Sequence, residues 1–207
     1  MSQNLHIAVL IMAAGASKRM DGIKQLLPWK TSNFLLETIK TVKESNATSI
    51  HVVLGANADS IIDQCNLEEQ NVELIINPDW SLGLGKSIAL GVKKLTEKKH
   101  IPDGILICLA DQPLLSTEYL NSVITSYTKQ PSKIVASIYR NRAGVPALFP
   151  KFFYPNLVLL EGDQGAKNIL EDINNEIIVL NAHGQLTDID TKDDYDQLQT
   201  NFQNENK

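Results

Sequence analysis

Three short stretches of the chain combine residue types that can hold a phosphorylated, metal-bound ligand. The first is Ala13-Ala14-Gly15-Ala16-Ser17-Lys18-Arg19-Met20-Asp21-Gly22-Ile23-Lys24. Gly15 lets a ligand come close to the backbone, and successive backbone N–H groups in such a loop form an anion-binding concavity. Lys18, Arg19, Lys24 and nearby Lys30 outnumber the single acid Asp21, so a cationic cluster sits within an acidic chain. That suits a polyphosphate, and an ordinary solvated loop with scattered charge accounts for the same residues equally well. Neither GxxxxGK(S/T) nor GxGxxG occurs here, which excludes a P-loop and a dinucleotide fingerprint.

The second stretch is Leu109-Ala110-Asp111-Gln112-Pro113, an acid directly after an apolar run. Desolvating Asp111 is costly without a partner. Mg²⁺ is a natural one, because it prefers carboxylate and substrate phosphate oxygens; a turn or helix-capping aspartate is the competing reading. The third, Asp188-Ile189-Asp190, puts carboxylates at i and i+2, on one side of an extended chain. One of them could be a second metal ligand, or the pair could form an Asx turn into the last helix. Between these stretches, Asn77-Pro78-Asp79-Trp80-Ser81-Leu82-Gly83-Leu84-Gly85-Lys86-Ser87 sets two glycines and a serine ahead of a helix. Backbone amides there could approach a base, a sugar or a phosphate, or the glycines could simply loosen a helix entry. His6, His51, His100 and His183 form no HxH or HxxxH pattern, and no GxSxG or nucleophile triad is present.

The elements that must position these loops alternate in type. Ile7–Met12 is a continuous apolar run, as expected of a strand covered on both faces. Ile50–Leu54, Val72–Ile76 and Ile105–Leu109 read as further strands, and Asn33–Glu44, Asp59–Cys65, Lys86–Leu95 and Thr117–Tyr127 as the helices between them. This order predicts an α/β domain with a mostly parallel sheet and helices on both faces. Ile134–Tyr139 and Val145–Phe149 are close enough for a hairpin-like pair, so one strand is expected to run antiparallel. Gly165–Ile173 reads as a helix, Ile177–Leu180 as a strand, and Thr191 with Asp194 as the capping box of a last helix from Lys192. Ligands of open parallel sheets bind beyond the carboxyl ends of the strands, where the three stretches lie.

Bulk properties fit one domain over residues 1–200 with a polar tail, 201–207, expected to fray. Of 207 residues, 43% are hydrophobic and 21% charged, with a formal net charge of −5. No basic excess points to nucleic acid. The N-terminal apolar run His6–Ala14 is too short to span a bilayer, so a cytoplasmic protein without a membrane partner is expected. Cys65 and Cys108 form no CxxC pair and read as buried reduced thiols.

The segment Leu10–Met20, followed by Lys24-Gln25-Leu26-Leu27-Pro28-Trp29, resembles the signature of nucleotidyltransferases related to molybdenum cofactor cytidylyltransferase. Asn77–Ser87 is similar to that family's base-side loop, Leu109–Pro113 to its metal-aspartate motif, and Asp188-Ile189-Asp190-Thr191 to its final acidic motif. Gly144–Phe149 and Gly162-Asp163-Gln164-Gly165-Ala166 are similar to its acceptor-side half. The resemblance spans nearly the whole chain and implies a single-domain, Rossmann-like nucleotidyltransferase fold. It further implies that Ala13, Ala14 and Gly15 contact the nucleotide through the backbone, and that Arg19 and Lys24 bind the triphosphate. Gly83 and Ser87 then serve the base and ribose, and Asp111 and Asp190 bind Mg²⁺. Arg19, Lys24 and Asp111 are the implied catalytic set. Asp21-Gly22 departs from the family's usual glycine after methionine, and Lys167 and Val145 depart on the acceptor side.

The implied reaction moves a nucleotide from a nucleoside triphosphate, CTP by the Ala13-Ala14-Gly15 triplet, to a phosphate monoester, with release of pyrophosphate. Molybdopterin is the favoured acceptor. A sugar- or polyol-phosphate acceptor, or a non-catalytic carrier that hands the cofactor to a molybdoenzyme or its maturation factor, are the alternatives. Retention of Arg19, Lys24 and Asp111 together argues for the enzyme.

Overall fold

The computed structural model describes residues 5–205 apart from 18, 21, 140, 141 and 173. Lys18 and Asp21 of the cationic loop, and the Ile173 end of the helix expected over Gly165–Ile173, therefore lie outside the described residues. The strands are β1 (Ile7–Ala13), β2 (Pro28–Trp29), β3 (Ser32–Asn33), β4 (Ser49–Leu54), β5 (Glu73–Ile76), β6 (Gly104–Leu109), β7 (Ile134–Tyr139), β8 (Arg142–Pro150) and β9 (Ile177–Leu180). The helices are α1 (Phe34–Lys43), α2 (Ala58–Cys65), α3 (Leu84–Thr96), α4 (Thr117–Lys129), α5 (Tyr154–Leu157), α6 (Lys167–Glu171) and α7 (Lys192–Glu205).

Among the described residues, seven strands form one sheet in the order β5-β4-β1-β6-β8-β7-β9, and β2 and β3 form a separate small hairpin. The pairs β5–β4, β4–β1, β1–β6 and β7–β9 are parallel, whereas β8 runs against both β6 and β7. The expected antiparallel strand is thus β8, longer at both ends than the apolar run Val145–Phe149. The strand order has a consequence for the site. From β1 the chain proceeds through β4 to β5 on one side, then crosses to β6 on the other. The carboxyl ends of β1 and β6 therefore flank a topological switch point, where such sheets leave a crevice.

Apolar residues on both faces explain the unbroken β1 run. Ile7, Val9, Ile11 and Ala13 pack with Leu35 and Ile39 of α1, Ile61 of α2 and Leu120 and Val123 of α4. Ala8, Leu10 and Met12 pack with Ile88, Val92 and Leu95 of α3 and with Leu157 and Leu170 beyond it. Both cysteines are free and buried. Asn33 caps α1 by accepting from the Leu36 N–H at 2.9 Å. The capping box at α7 forms as read: the Asp194 carboxylate accepts from the Thr191 N–H at 2.8 Å, and Thr191 Oγ1 accepts from the Asp194 N–H at 3.2 Å.

Two expectations change. The helix read over Gly165–Ile173 is confined to α6, because Gly165 takes a φ of 54° and Asp172 is extended. The polar tail does not fray at Asn201: α7 continues to Glu205, and Phe202 packs against Trp29 with ring centroids 4.8 Å apart and the rings tilted by 51°. Trp29, Phe34, Ile189 and Leu198 make a third small core there, with Tyr195 and Phe202 against it.

Candidate active site

Beyond the carboxyl ends of β1 and β6 lies a cleft of about 500 Å³. Ala13, Ala14, Gly15, Arg19, Lys24, Gly83, Ser87, Asp111 and Asp190 all line it. The nine residues that the family resemblance implies therefore line one cleft. Lys30 does not: it occupies the exposed turn between β2 and β3.

The cleft floor is built around Lys24. Its Nζ donates to Asp111 Oδ2 at 2.9 Å and to Asp190 Oδ1 at 3.0 Å. Arg19 Nη2 meets the other oxygen of Asp190, Oδ2, at 3.0 Å. Burial works against the Lys24 ammonium, but the Asp111 and Asp190 carboxylates outweigh it and hold its pKa above the usual lysine value. Asp111 is shifted up from the ordinary aspartate value because burial, with Asp188 and Asp190 nearby, outweighs the attraction of Lys24. Asp190 also pays a desolvation penalty, yet its bonds to Lys24 and Arg19 bring it below the ordinary value. Arg19 is exposed at 68%, against 13% for Lys24, so the two cations differ in kind. One is a solvated arm at the rim and the other a buried tie between acids.

Local structure explains how the loop reaches this arrangement. The Ser17 φ is 56°, a left-handed turn. Ser17 Oγ accepts from the Lys24 N–H at 3.0 Å, which closes the loop from Ser17 to Lys24. Gln25, which the sequence reading did not single out, is buried and donates to the carbonyls of Ala13 at 2.7 Å and Gly15 at 3.1 Å. It pins the backbone after β1 in place; a buried glutamine just after a cationic loop was the available signal. Gly15 has open space where a Cβ would stand. None of the described residues requires glycine there, whereas a ligand pressed on the backbone would.

The two later glycines face another part of the chain closely. A Cβ at Gly83 would lie 2.4 Å from the Gly162 carbonyl carbon, and one at Gly85 2.6 Å from the Glu161 carbonyl oxygen. The chain itself, at 161–163, fills the side-chain space at both glycines, while Gly83 still lines the cleft. Ser87 is buried at the cleft wall and its Oγ accepts from Asn77 Nδ2 at 2.9 Å; among the described residues its hydroxyl proton has no acceptor. Of the two carboxylates near the C-terminus, Asp190 faces Lys24. Asp188 accepts from Gln112 Nε2 at 2.9 Å and lines a separate hollow of about 380 Å³ with Asn181, His183 and Asp194.

The family model described as a MobA-like NTP transferase domain matches residues 9–178, from β1 into β9. The chain belongs to that family. It is accordingly a nucleotidyltransferase, related to the molybdenum cofactor cytidylyltransferase-like proteins. Nicotine blue oxidoreductase of Paenarthrobacter nicotinovorans is 31% identical, over 78% of this chain and 79% of the relative. The purine catabolism protein PucB of Bacillus subtilis (strain 168) is 28% identical, over 91% and 94%. Among solved structures, Rv0371c of Mycobacterium tuberculosis H37Rv superposes with a TM-score of 0.82 at 24% identity, covering 94% of this chain and 97% of its own. That likeness bears on the fold; Rv0371c has also been solved in complex with manganese. Among the described residues, no helix is long and apolar enough to cross a membrane.

Proposed function

We propose that this MobA-like domain transfers CMP from CTP to a phosphate monoester, molybdopterin by preference, and releases pyrophosphate in the presence of Mg²⁺. The observation that carries the reading is the convergence of Lys24, Asp111 and Asp190 beside the Gly15 loop, at the switch point between β1 and β6. In the proposed complex the triphosphate lies on the backbone of Ala13–Ala16, with Arg19 and Lys24 on its β- and γ-phosphates. The acceptor's phosphate is already ionised near neutral pH, so attack on the α-phosphorus needs no general base. What the residues supply is alignment of the two phosphates and neutralisation of their charge. Arg19, exposed at the rim, stabilises the departing pyrophosphate, as cationic side chains do in phosphoryl transfer.

The donor set fits a hard divalent cation. Asp111 Oδ1 is enclosed and has no hydrogen-bond partner among the described residues, although Oδ2 is held by Lys24. Such an oxygen is costly unless something binds it. Among the described residues, no three His, Cys, Asp or Glu side chains converge into a self-contained cage. Mg²⁺ needs none, since it keeps waters and takes one or two carboxylates plus substrate phosphate. Asp111 and Asp190 would hold it, and when bound it would lower the repulsion between donor and acceptor anions. The manganese complex of Rv0371c supports the choice of a divalent ion.

The deciding experiment incubates the protein with each nucleoside triphosphate, Mg²⁺ and a panel of phosphate monoesters including molybdopterin, and measures pyrophosphate. Release only with CTP and molybdopterin is the expected result. Release with a sugar phosphate instead would move the acceptor assignment. No release with any pair would overturn the reading and leave the activity named for the oxidoreductase relative to be assayed.

A further inference from the structure

We infer that Asp163 is a specificity-determining residue of the cleft, accepting a hydrogen bond from the nucleoside end of the donor nucleotide. The inference rests on the nucleotidyltransferase reading and names a recognition group within the same site. The segment Glu161-Gly162-Asp163 is clasped onto the entry of α3. The Gly162 carbonyl accepts from the Gly85 N–H at 2.8 Å, and Lys86 Nζ donates to Glu161 Oε1 at 2.9 Å. Gly83 and Gly85 face this segment so closely that any side chain at either position would collide with it. Gly162, at a φ of 65°, turns the chain so that Asp163 follows into the cleft wall. The Asp163 Oδ1 lies 2.5 Å from where a Gly83 Cβ would stand. Two glycines and a left-handed turn thus deliver one carboxylate to the ligand space. The sequence resemblance instead placed this motif on the acceptor side.

Asp163 makes no hydrogen bond or ion pair among the described residues, and it is exposed. An ionised carboxylate only accepts hydrogen bonds and repels phosphate. In the proposed function Arg19, Lys24 and the cation that Asp111 and Asp190 would hold mark the phosphate end of the cleft, so Asp163, beside Gly83 and Ser87, meets the nucleoside. A nucleoside offers two kinds of donor: an exocyclic amine, as on cytosine, or a ribose hydroxyl. Ser87, whose hydroxyl proton has no acceptor among the described residues, is the complementary donor on the same wall.

The test is calorimetric titration of the full chain with CTP, UTP and 2′,3′-dideoxy-CTP, each with Mg²⁺, in wild type, Asp163→Ala and Asp163→Asn. Asp163→Ala is expected to weaken CTP about tenfold or more, the scale of one lost charge-assisted hydrogen bond. If the amine is the donor, UTP binding stays unchanged; if a ribose hydroxyl is, UTP weakens with CTP and the dideoxy analogue does not. Asp163→Asn, which keeps an acceptor oxygen, is expected to recover part of the loss. Gly85→Ala is expected to reproduce the pattern by displacing the clasp. Equal losses for all three nucleotides, or no loss, would overturn the role of Asp163 and leave the nucleotide site standing. A wild type that binds none of them would bring down both.

Discussion

Lys24 Nζ lies 2.9 Å from Asp111 Oδ2, although 87 residues separate the two in the chain. The lysine is the more enclosed partner, and it ties Asp111 to Asp190 in the same step. Removing it leaves two facing carboxylates without their shared cation. Lys24→Ala is expected to destabilise the protein by about 2 kcal/mol, as for a lost hydrogen bond to a charged group. Asp111→Ala is expected to retain the fold and abolish pyrophosphate release. In the double variant much of the Lys24→Ala loss should return, because the repulsion is gone. Urea titrations of the four proteins, with a pyrophosphate assay, check this; additive losses would mean that the pair is not coupled. Lys24→Ala and Arg19→Ala should also weaken CTP far more than CMP by calorimetry, and equal losses would remove them from the β- and γ-phosphates.

Ala14 bears on the choice of base. It lines the cleft just after β1, and its carbonyl accepts from the Ala56 N–H at 3.1 Å, so the loop cannot shift freely to make room. One methyl group changes discrimination by roughly 1–3 kcal/mol in a pocket. Ala14→Gly is expected to raise kcat/KM for GTP relative to CTP within that range. A wild type that already prefers GTP would sink the cytidine assignment while leaving the transferase mechanism intact.

The aromatic cluster at the C-terminus sets the position of Asp190. Ile189 is buried between Trp29, Phe34 and Leu198, and Trp29 Nε1 donates to the Pro113 carbonyl at 3.1 Å, close to the Asp111 loop. Phe202→Ala is expected to cost about 1–2 kcal/mol for a partly buried aromatic contact. It should also lower kcat more than it raises the KM for CTP, since Asp190 would be held less firmly. An unchanged kcat in a destabilised variant would separate the cluster from the site.

Protonation of His51 is expected to contribute to the acid limb of stability. Its ring is 1% exposed, Nε2 is 3.1 Å from Ser49 Oγ, and Nδ1 is 3.6 Å from the Glu73 carboxylate. Burial first, then Lys98, depress its pKa from 6.5 to about 4, with Glu73 acting the other way. The folded state therefore takes up this proton less readily than the unfolded chain. The stability held above pH 6.5 is lost as pH falls toward 4, by up to about 3 kcal/mol at 1.36 kcal/mol per pKa unit. Melting temperatures across pH 4–7 should fall less steeply in His51→Gln than in the wild type. Parallel curves would assign the acid limb to other groups.

Much of this protein was legible in its sequence, because strand and helix periodicity, turn glycines and caps are local properties. The apolar run of β1, the Gly15 loop, the acid after β6 and the Thr191–Asp194 box each need only their immediate neighbours. The Gly15 loop, Asp111 and the Asp188–Asp190 pair stood out locally for that reason, and the family resemblance chose the nine candidate residues. Tertiary structure alone decided how they meet. Lys24 joins Asp111 and Asp190 because the chain crosses from β5 over β1 to β6, and no local pattern encodes that strand order. Asp190 rather than Asp188 faces the cleft because buried Ile189 orients the segment between Trp29 and α7. Gly83 and Gly85 must be glycine because residues 161–163 fill the side-chain space at both, a packing that no local pattern encodes. Phe202 read as part of a polar tail because six polar residues surround it, and its burial depends on a tryptophan 173 positions away. Sequence spacing reports which residues share a face, whereas long-range packing decides which faces share a site.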